Sequence, residues 1–314
     1  MFDFPEWSGS MDELAAMRVF VRVVETGSLA GAGRALGMAP PSISRRISDL
    51  EGVLGVRLLN RSTRKLSLTA AGEVYFERAR IAIRTVEEAN LAVTEERGTP
   101  SGVLRITVPS ALTRLHLAPA VAAFQADNPK VQIVMRVTDR IVDVIGDGLD
   151  VAIRVGRLDD SSLIARKLSA ARRAVCASQL YLDREGLPEH PNDLAQHACL
   201  TFRGHPGSNV WRFRNGDEQF EIPATGPCLS DDAETLLAWA CAGAGLICVP
   251  EWVCGVELGS GRLVEVLTDY TADLADTPIH AVYAPGPYVA PKIRAFVEFL
   301  VSKYSGNYDW RTPH

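Results

Sequence analysis

One short run, Pro41-Ser42-Ile43-Ser44-Arg45-Arg46-Ile47-Ser48, sets hydroxyls and guanidiniums side by side. Their chemistry is recognition of a polyanion: short hydroxyls and the start of a helix hold phosphates, and an arginine fork matches the two acceptors on a guanine edge. A second run, Arg61-Ser62-Thr63-Arg64-Lys65, gathers further cations. A third candidate is Pro109-Ser110-Ala111, where a strand-like pattern gives way to a helical one; free backbone N–H groups and the Ser110 hydroxyl there suit a small anion. Covalent chemistry has no such signature: there is no Gly-x-Ser-x-Gly, no phosphate-binding Walker loop and no His-Glu-x-x-His. The cysteines (Cys176, Cys199, Cys228, Cys241, Cys248 and Cys254) form no Cys-x-x-Cys pair and have no His at ligand spacing. The expectation is therefore no catalytic residue, no metal site, no disulfide framework and no cofactor.

The first two runs need helices and a hairpin to present them. Leu14, Met17, Phe20, Val21 and Val24 recur at three-to-four spacing, which predicts a helix over 12–26 ended by Gly27. Ser28 can cap a second, small-sided helix over 29–36, closed by Gly37. A third starts at Pro40-Pro41, where a missing N–H costs nothing, and buries Ile43, Ile47, Leu50 and Leu54. That leaves Ser42, Ser44, Arg45, Arg46 and Ser48 to solvent, as a helix lying in a major groove requires. After Gly55, two short alternating runs flank the Arg61–Lys65 tip, a cationic hairpin able to sit over the minor groove or the backbone.

Charge supports this division. The net charge is −5, but residues 11–70 hold nine basic and five acidic side chains, a surplus of +4 that leaves −9 on the rest. A basic module joined to an acidic remainder suggests two partners of different kind, one of them DNA. With 314 residues, 47% hydrophobic and 23% charged, the chain has room for two or three domains with real cores. No apolar run reaches the ~20 residues that span a bilayer, and the start is acidic where a secretory leader would be basic, so a cytoplasmic protein without membrane contact is expected.

From Thr69 to about residue 96 a long helix is expected. Tyr75, Ala79, Ala82, Val86, Ala89 and Val93 recur at alternating intervals of four and three, the seam of a coiled coil. Such a stripe pairs with a second copy or packs on its own DNA-binding segment. Residues 98–102, Gly-Thr-Pro-Ser-Gly, read as a hinge.

Beyond it, strand patterns at 103–108, 131–137 and 151–155 alternate with helical ones at 112–125 and 141–145, which predicts a parallel sheet with a ligand at the carboxyl ends of its strands. The pattern breaks near 167–173 and restarts at Ala174, with a helix over 232–242; residues 279–284 and a helix over 292–304 look like a return to the first lobe. A second lobe inserted in a first gives a hinged cleft.

These residues together resemble the LysR-type transcriptional regulators. The N-terminal resemblance runs through Phe20-x-x-Val-x-Glu25-x-Gly27-Ser28-Leu29, Ala35-Leu36, Pro41-Ser42-Ile43-Ser44-x-x-Ile47-x-x-Leu50-Glu51-x-x-Leu54-Gly55, Leu58-Leu59-x-Arg61-Ser62-Thr63-Arg64 and Leu68-Thr69-x-x-Gly72. The C-terminal part is carried by Asn128-Pro129-x-Val131, Gly148-x-Asp150-Val151-Ala152-Ile153-Arg154-x-Gly156, Gly243-x-Gly245-Leu246 and Pro291-Lys292-x-Arg294-Ala295-Phe296. Ala39-Pro40 departs from the family, which usually has a polar pair there. The resemblance implies a multidomain chain: an α-rich winged helix-turn-helix over 11–68, a linker and dimerisation helix over 69–97, and the hinge. An α/β two-lobed domain similar to periplasmic solute-binding proteins follows over 103–305, with lobe I at 103–168 and 268–305 and lobe II at 169–267. It implies DNA contacts at Ser28, Pro41, Ser42, Ser44, Arg45, Arg46, Ser48, Arg61, Ser62, Arg64 and Lys65, and dimerisation, commonly tetramerisation, through the linker stripe. It implies effector contacts at Ser110, Ala111, Arg157, Phe202, Arg203, Ser230 and Asp231, with Ser230-Asp231 also capping a helix, and a small organic acid as the ligand. The implied partners are double-stranded DNA at a near-palindromic site, the effector, a second copy and RNA polymerase. Residues 1–10 and 307–314 lie outside the resemblance, and Met11 is the more natural start. The rival readings are a redox sensor using a cysteine such as Cys199 or Cys228, an enzyme on the solute-binding fold, and a purely architectural DNA protein.

Overall fold

The computed structural model describes residues 13–61, 66–94, 99–156, 158, 161–203, 209–286, 289–306 and 308–312. The chain divides into two compact units, an N-terminal one that also takes in residues 142–149 and a C-terminal one formed by the rest from residue 99 on.

In the N-terminal unit, helices α1 (Glu13–Thr26), α2 (Leu29–Leu36) and α3 (Pro40–Leu54) precede a hairpin of β1 (Leu59–Arg61) and β2 (Leu66–Leu68) and a long helix α4 (Ala70–Thr94). The first three helices end where the sequence supplies a residue free to turn left-handed: Gly27 (φ 65°) follows α1, Gly37 (φ 64°) closes α2 and Gly55 (φ 67°) closes α3. Phe20 of α1 is fully buried, with Val23 beside it, over Ile43, Ile47 and Leu50 of α3 and Leu58 and Leu59 of the hairpin.

The linker stripe divides. Tyr75 and Ala79 of α4, expected on the dimer seam, belong to this intramolecular core: the Tyr75 ring meets Phe20 edge-on at 5.5 Å, and Ala79 is 1% exposed. The physical reason is that α1 presents an apolar stripe of its own, which the first turns of α4 cover. Ala82 is half-buried, while Val86 and Ala89 face solvent; of Val93 only the helical backbone is described.

The C-terminal unit carries a sheet in the order β11-β6-β13-β5-β3-β4, formed by β3 (Gly102–Val108), β4 (Val131–Val137), β5 (Val151–Val155), β6 (Ile164–Ala177), β11 (Ile247–Pro250) and β13 (Thr271–Tyr283). The smaller strands are β7 (Thr201–Phe202), β8 (Val210–Asn215), β9 (Glu218–Pro223), β10 (Leu229–Ser230) and β12 (Val264–Val266). Strands β4, β3 and β5 are parallel as expected, but β13 is antiparallel to β5 and β6 antiparallel to β13, so the sheet is mixed. The break expected near 167–173 is one of pairing and not of the strand: β6 runs 14 residues, while its register against β13 shifts between Lys167 and Ser169 and again between Ala171 and Arg173. Its mid-strand charges suggested a break, but Lys167 and Arg172 point to solvent while Leu168, Ala171, Ala174 and Cys176 stay in one core.

Two further expectations are corrected. Residues 141–145 form no helix; turns over 144–148 replace it, organised by the Asp143 carboxylate accepting from the Ile145 N–H at 3.0 Å. The helix expected over 112–125 begins at Ser110 and includes a π turn, Thr113–Leu117, before Ala118–Asp127. Pro119 explains the turn: having no N–H to give, it leaves Ala118 to bond back five residues to the Thr113 carbonyl.

Candidate nucleic-acid interface and effector pocket

On α3, Ile43, Ile47 and Leu50 are buried, while Pro41, Ser42, Arg45, Arg46 and Ser48 are exposed and Ser44 is half-exposed. The hydroxyls and guanidiniums therefore share the helix face opposite the core. The Ser48 hydroxyl donates to the Ser44 carbonyl at 3.0 Å. Ser28 has a structural task, its hydroxyl oxygen accepting from the Gly31 N–H at 3.0 Å as the cap of α2. Ala39 occupies the cap of α3 and supplies no side-chain acceptor. Arg61 closes β1 opposite Leu66. Ser62, Arg64 and Lys65 lie outside the described residues.

A residue that sequence reasoning passed over fixes the hairpin against α3. The Glu51 carboxylate accepts from the N–H groups of Leu58 (2.8 Å) and Leu59 (3.1 Å), tying the strand to the exposed helix. Thr69 works beside it, donating to the Arg57 carbonyl at 2.7 Å and accepting from the Gly72 N–H at 3.0 Å. A Cβ on Gly72 would overlap the Leu58 carbonyl oxygen, so only glycine lets α4 pass so close to the hairpin.

In the C-terminal unit a cavity of about 620 Å³ is lined by Ser110, Arg114, Thr138, Asp139, Arg140, Phe202, Arg203, Asp231 and Asp232, a size that suits a small metabolite. Parallel register builds one wall. Val108 pairs with Val137, so Ser110 after β3 and Thr138-Asp139-Arg140 after β4 emerge at the same sheet edge, at the carboxyl ends of both strands. The Asp139 carboxylate accepts from the Ser110 N–H at 3.0 Å and also from the Ser110 hydroxyl. The other wall comes from β7 and β10, which run parallel with Phe202 opposite Ser230; the Arg203 N–H donates to the Ser230 carbonyl at 2.7 Å. Arg114 crosses between them to Glu234 and lies 3.6 Å from Asp232.

Four of the expected effector residues, Ser110, Phe202, Arg203 and Asp231, thus share one cavity. Ala111 is buried behind Ser110 and does not line it; the Ser230 hydroxyl is turned to the Asp232 N–H at 3.0 Å. Arg157 lies outside the described residues. The helix cap expected at Ser230-Asp231 is Asp232, whose carboxylate accepts from the Thr235 N–H at 2.9 Å and the Thr235 hydroxyl at 2.7 Å. Arg114, Thr138, Asp139, Arg140 and Asp232 were missed. For Asp139 and Arg140 a signal was available, since residues leaving a strand next to β3 share its binding edge.

The comparisons now bear on both regions. The model described as "Bacterial regulatory helix-turn-helix protein, lysR family" matches residues 14–73, and "LysR substrate binding domain" matches 97–305. This chain belongs to the LysR family of transcriptional regulators. It is 38% identical over 296 residues to an "HTH-type transcriptional regulator" of Xanthomonas campestris pv. campestris, covering 93% of this chain and 86% of that protein. It is 35% identical to the "HTH-type transcriptional activator AaeR" of Escherichia coli, covering 94% of each. Among solved structures it resembles CrgA, a LysR-type transcriptional regulator from Neisseria meningitidis, with a TM-score of 0.62, 32% identity and coverage of 95% and 100%. The full-length virulence activator AphB of Vibrio cholerae gives 0.61 and 31%, over 93% and 99%.

This LysR-type regulator therefore joins a DNA-binding helix-turn-helix to a two-lobed α/β effector-binding domain, and acts by binding rather than catalysis. No helix among the described residues is long and apolar enough to cross a membrane. Of the two cysteines considered for redox sensing, Cys199 is fully buried and its thiol is pushed up to about 12, chiefly by burial, far from the thiolate such chemistry uses, whereas Cys228 is partly exposed.

Proposed function

We propose that this regulator binds a near-palindromic promoter site in the cytoplasm and changes its grip when a small organic acid enters the 620 Å³ cavity. The observation that carries the reading is that cavity: cationic side chains and the Phe202 ring converge there at the carboxyl edge of the sheet. On this reading Ser42, Ser44, Arg45, Arg46 and Ser48 of α3 contact the major groove, with Pro41 at its entry, and the hairpin tip with Arg61, Ser62, Arg64 and Lys65 follows the backbone beside it. The domains are those of the sequence analysis: 11–68 for DNA, 69–97 for pairing, 98–102 as hinge and 103–305 for the effector. Two copies pair through the outer part of the linker stripe, Ala82, Val86, Ala89 and Val93, giving two recognition helices for two half-sites, with a tetramer as the larger assembly. RNA polymerase is the protein partner at the promoter.

The test takes full-length protein and labelled DNA from upstream of its own coding sequence. Anisotropy is followed across a panel of small carboxylates, alongside the melting temperature of the protein alone. A ligand at a hundredfold excess over its Kd stabilises the folded state by about 2.7 kcal/mol. An acid that raises the melting temperature and shifts DNA affinity supports the reading; acids that stabilise without touching DNA binding refute the coupling.

A further inference from the structure

The charges in the cavity are not equally available. The Ser110 N–H and hydroxyl, expected to seat the effector's carboxylate, are already taken by Asp139. Arg114 is committed to Glu234 and Asp232. Arg140 and Arg203 remain. They rise from opposite walls, both are exposed, and among the described residues neither guanidinium has an acidic partner. A ligand carboxylate placed at Ser110 would face the Asp139 carboxylate at close range, whereas one between the two guanidiniums meets two charge-assisted donors. The lining as a whole balances three arginines against three aspartates, so it holds no cationic surplus to meet a second carboxylate.

We infer that Arg140 and Arg203 hold the anionic group of the effector, and that Asp139 sets specificity by closing the Ser110 seat. The class admitted is a small monocarboxylate whose apolar part lies on Phe202; a dicarboxylate reaching both ends is refused. This rests on the cavity being the effector site.

Radiolabelled benzoate and phthalate serve as mono- and dicarboxylate probes in equilibrium dialysis of the full chain, counted above the amount held by an Arg140→Ala/Arg203→Ala double variant. Wild-type protein is expected to bind benzoate above that background, to lose about tenfold in affinity with either single arginine change, and to prefer benzoate to phthalate. Asp139→Ala frees the Ser110 donors and gains affinity for phthalate. The isosteric Asp139→Asn, which removes the charge while keeping an acceptor for Ser110, moves the same way and guards against a collapsed loop. No benzoate above the background, equal affinity for both probes in wild type, or no phthalate gain in either Asp139 variant overturns the inference. The underlying reading is scored separately in cells with the Arg140→Ala/Arg203→Ala double variant, which removes both cations facing the cavity. If that variant keeps its promoter regulation in cells while benzoate still follows the arginines in wild type, the cavity is an anion site but not the sensor.

Discussion

The Lys292 ammonium stands 3.3 Å from an oxygen of Asp150, and both side chains are almost entirely out of water. Lys292 also donates to the Val103 carbonyl at 2.5 Å, and the Asp150 carboxylate accepts from the Arg105 N–H at 2.7 Å. One pair thus ties the start of β3, the start of β5 and the C-terminal helix Pro291–Tyr304 together. Lys292→Met strands a buried carboxylate and is expected to cost about 3–5 kcal/mol. Adding Asp150→Asn removes the stranded charge and should restore a substantial part. Urea unfolding of the single and double variants checks both.

Glu51 invites a smaller version of the same experiment. Glu51→Ala leaves the Leu58 and Leu59 N–H groups without their acceptor, at a cost of about 1–3 kcal/mol. The hairpin is also freed from α3, so DNA affinity should fall although no DNA-facing group has changed. Melting of the N-terminal unit and promoter binding are the two readouts.

Arg45→Ala and Arg46→Ala should separate phosphate contacts from base contacts. A lost phosphate contact lowers the slope of log K against log salt by about one and weakens all sequences alike; a lost base contact costs about 1–3 kcal/mol at one position of the site only. Anisotropy at several salt concentrations, on native and substituted sites, distinguishes them. Binding untouched by either change would remove α3 from the interface.

Low pH should loosen the far side of the C-terminal unit. Burial pushes the Glu265 carboxyl up, but its hydrogen bonds to Arg172 and Arg311 and their charges outweigh that and hold it below the ordinary value. A lowered folded-state value contributes stability that is fully present above the unfolded value, about 4.3, and is lost as pH falls through the folded one. Unfolding midpoints measured from pH 6 downward should therefore drop more steeply in wild type than in Arg172→Met.

Val86 offers a test of pairing. It is exposed on α4, so Val86→Glu costs the isolated chain little while placing a charge in any helix–helix seam. Light scattering should show a smaller assembly, with circular dichroism unchanged. An unaltered assembly would move the interface elsewhere.

The N-terminal unit was largely legible in the sequence because its first three helices are short, amphipathic and stopped by glycines that turn left-handed. The stripe from Tyr75 to Val93 was misread at its first two positions, since periodicity shows that a face is apolar but not which surface covers it. In β6 the charges from Lys167 to Arg173 hid a continuous strand, because its neighbours β13 and β11 are distant in sequence. Ser110, Phe202, Arg203 and Asp231 were reached by resemblance to a family. Asp139 was not, for it meets Ser110 only through the register of two strands 29 residues apart.

The inserted topology also dictates an order of birth. Strand β5 waits for β13, with Val155 opposite Ile279, and Asp150 waits for Lys292. While the chain emerges from the ribosome, the DNA-binding unit has all its core partners by residue 83, but the first lobe cannot close until some 200 further residues have been made. The nascent regulator is thus equipped to fold its reading head long before it owns a sensor, and a transcript cut before Pro291 would yield a chain with an intact N-terminal core and a sheet missing its fastening helix.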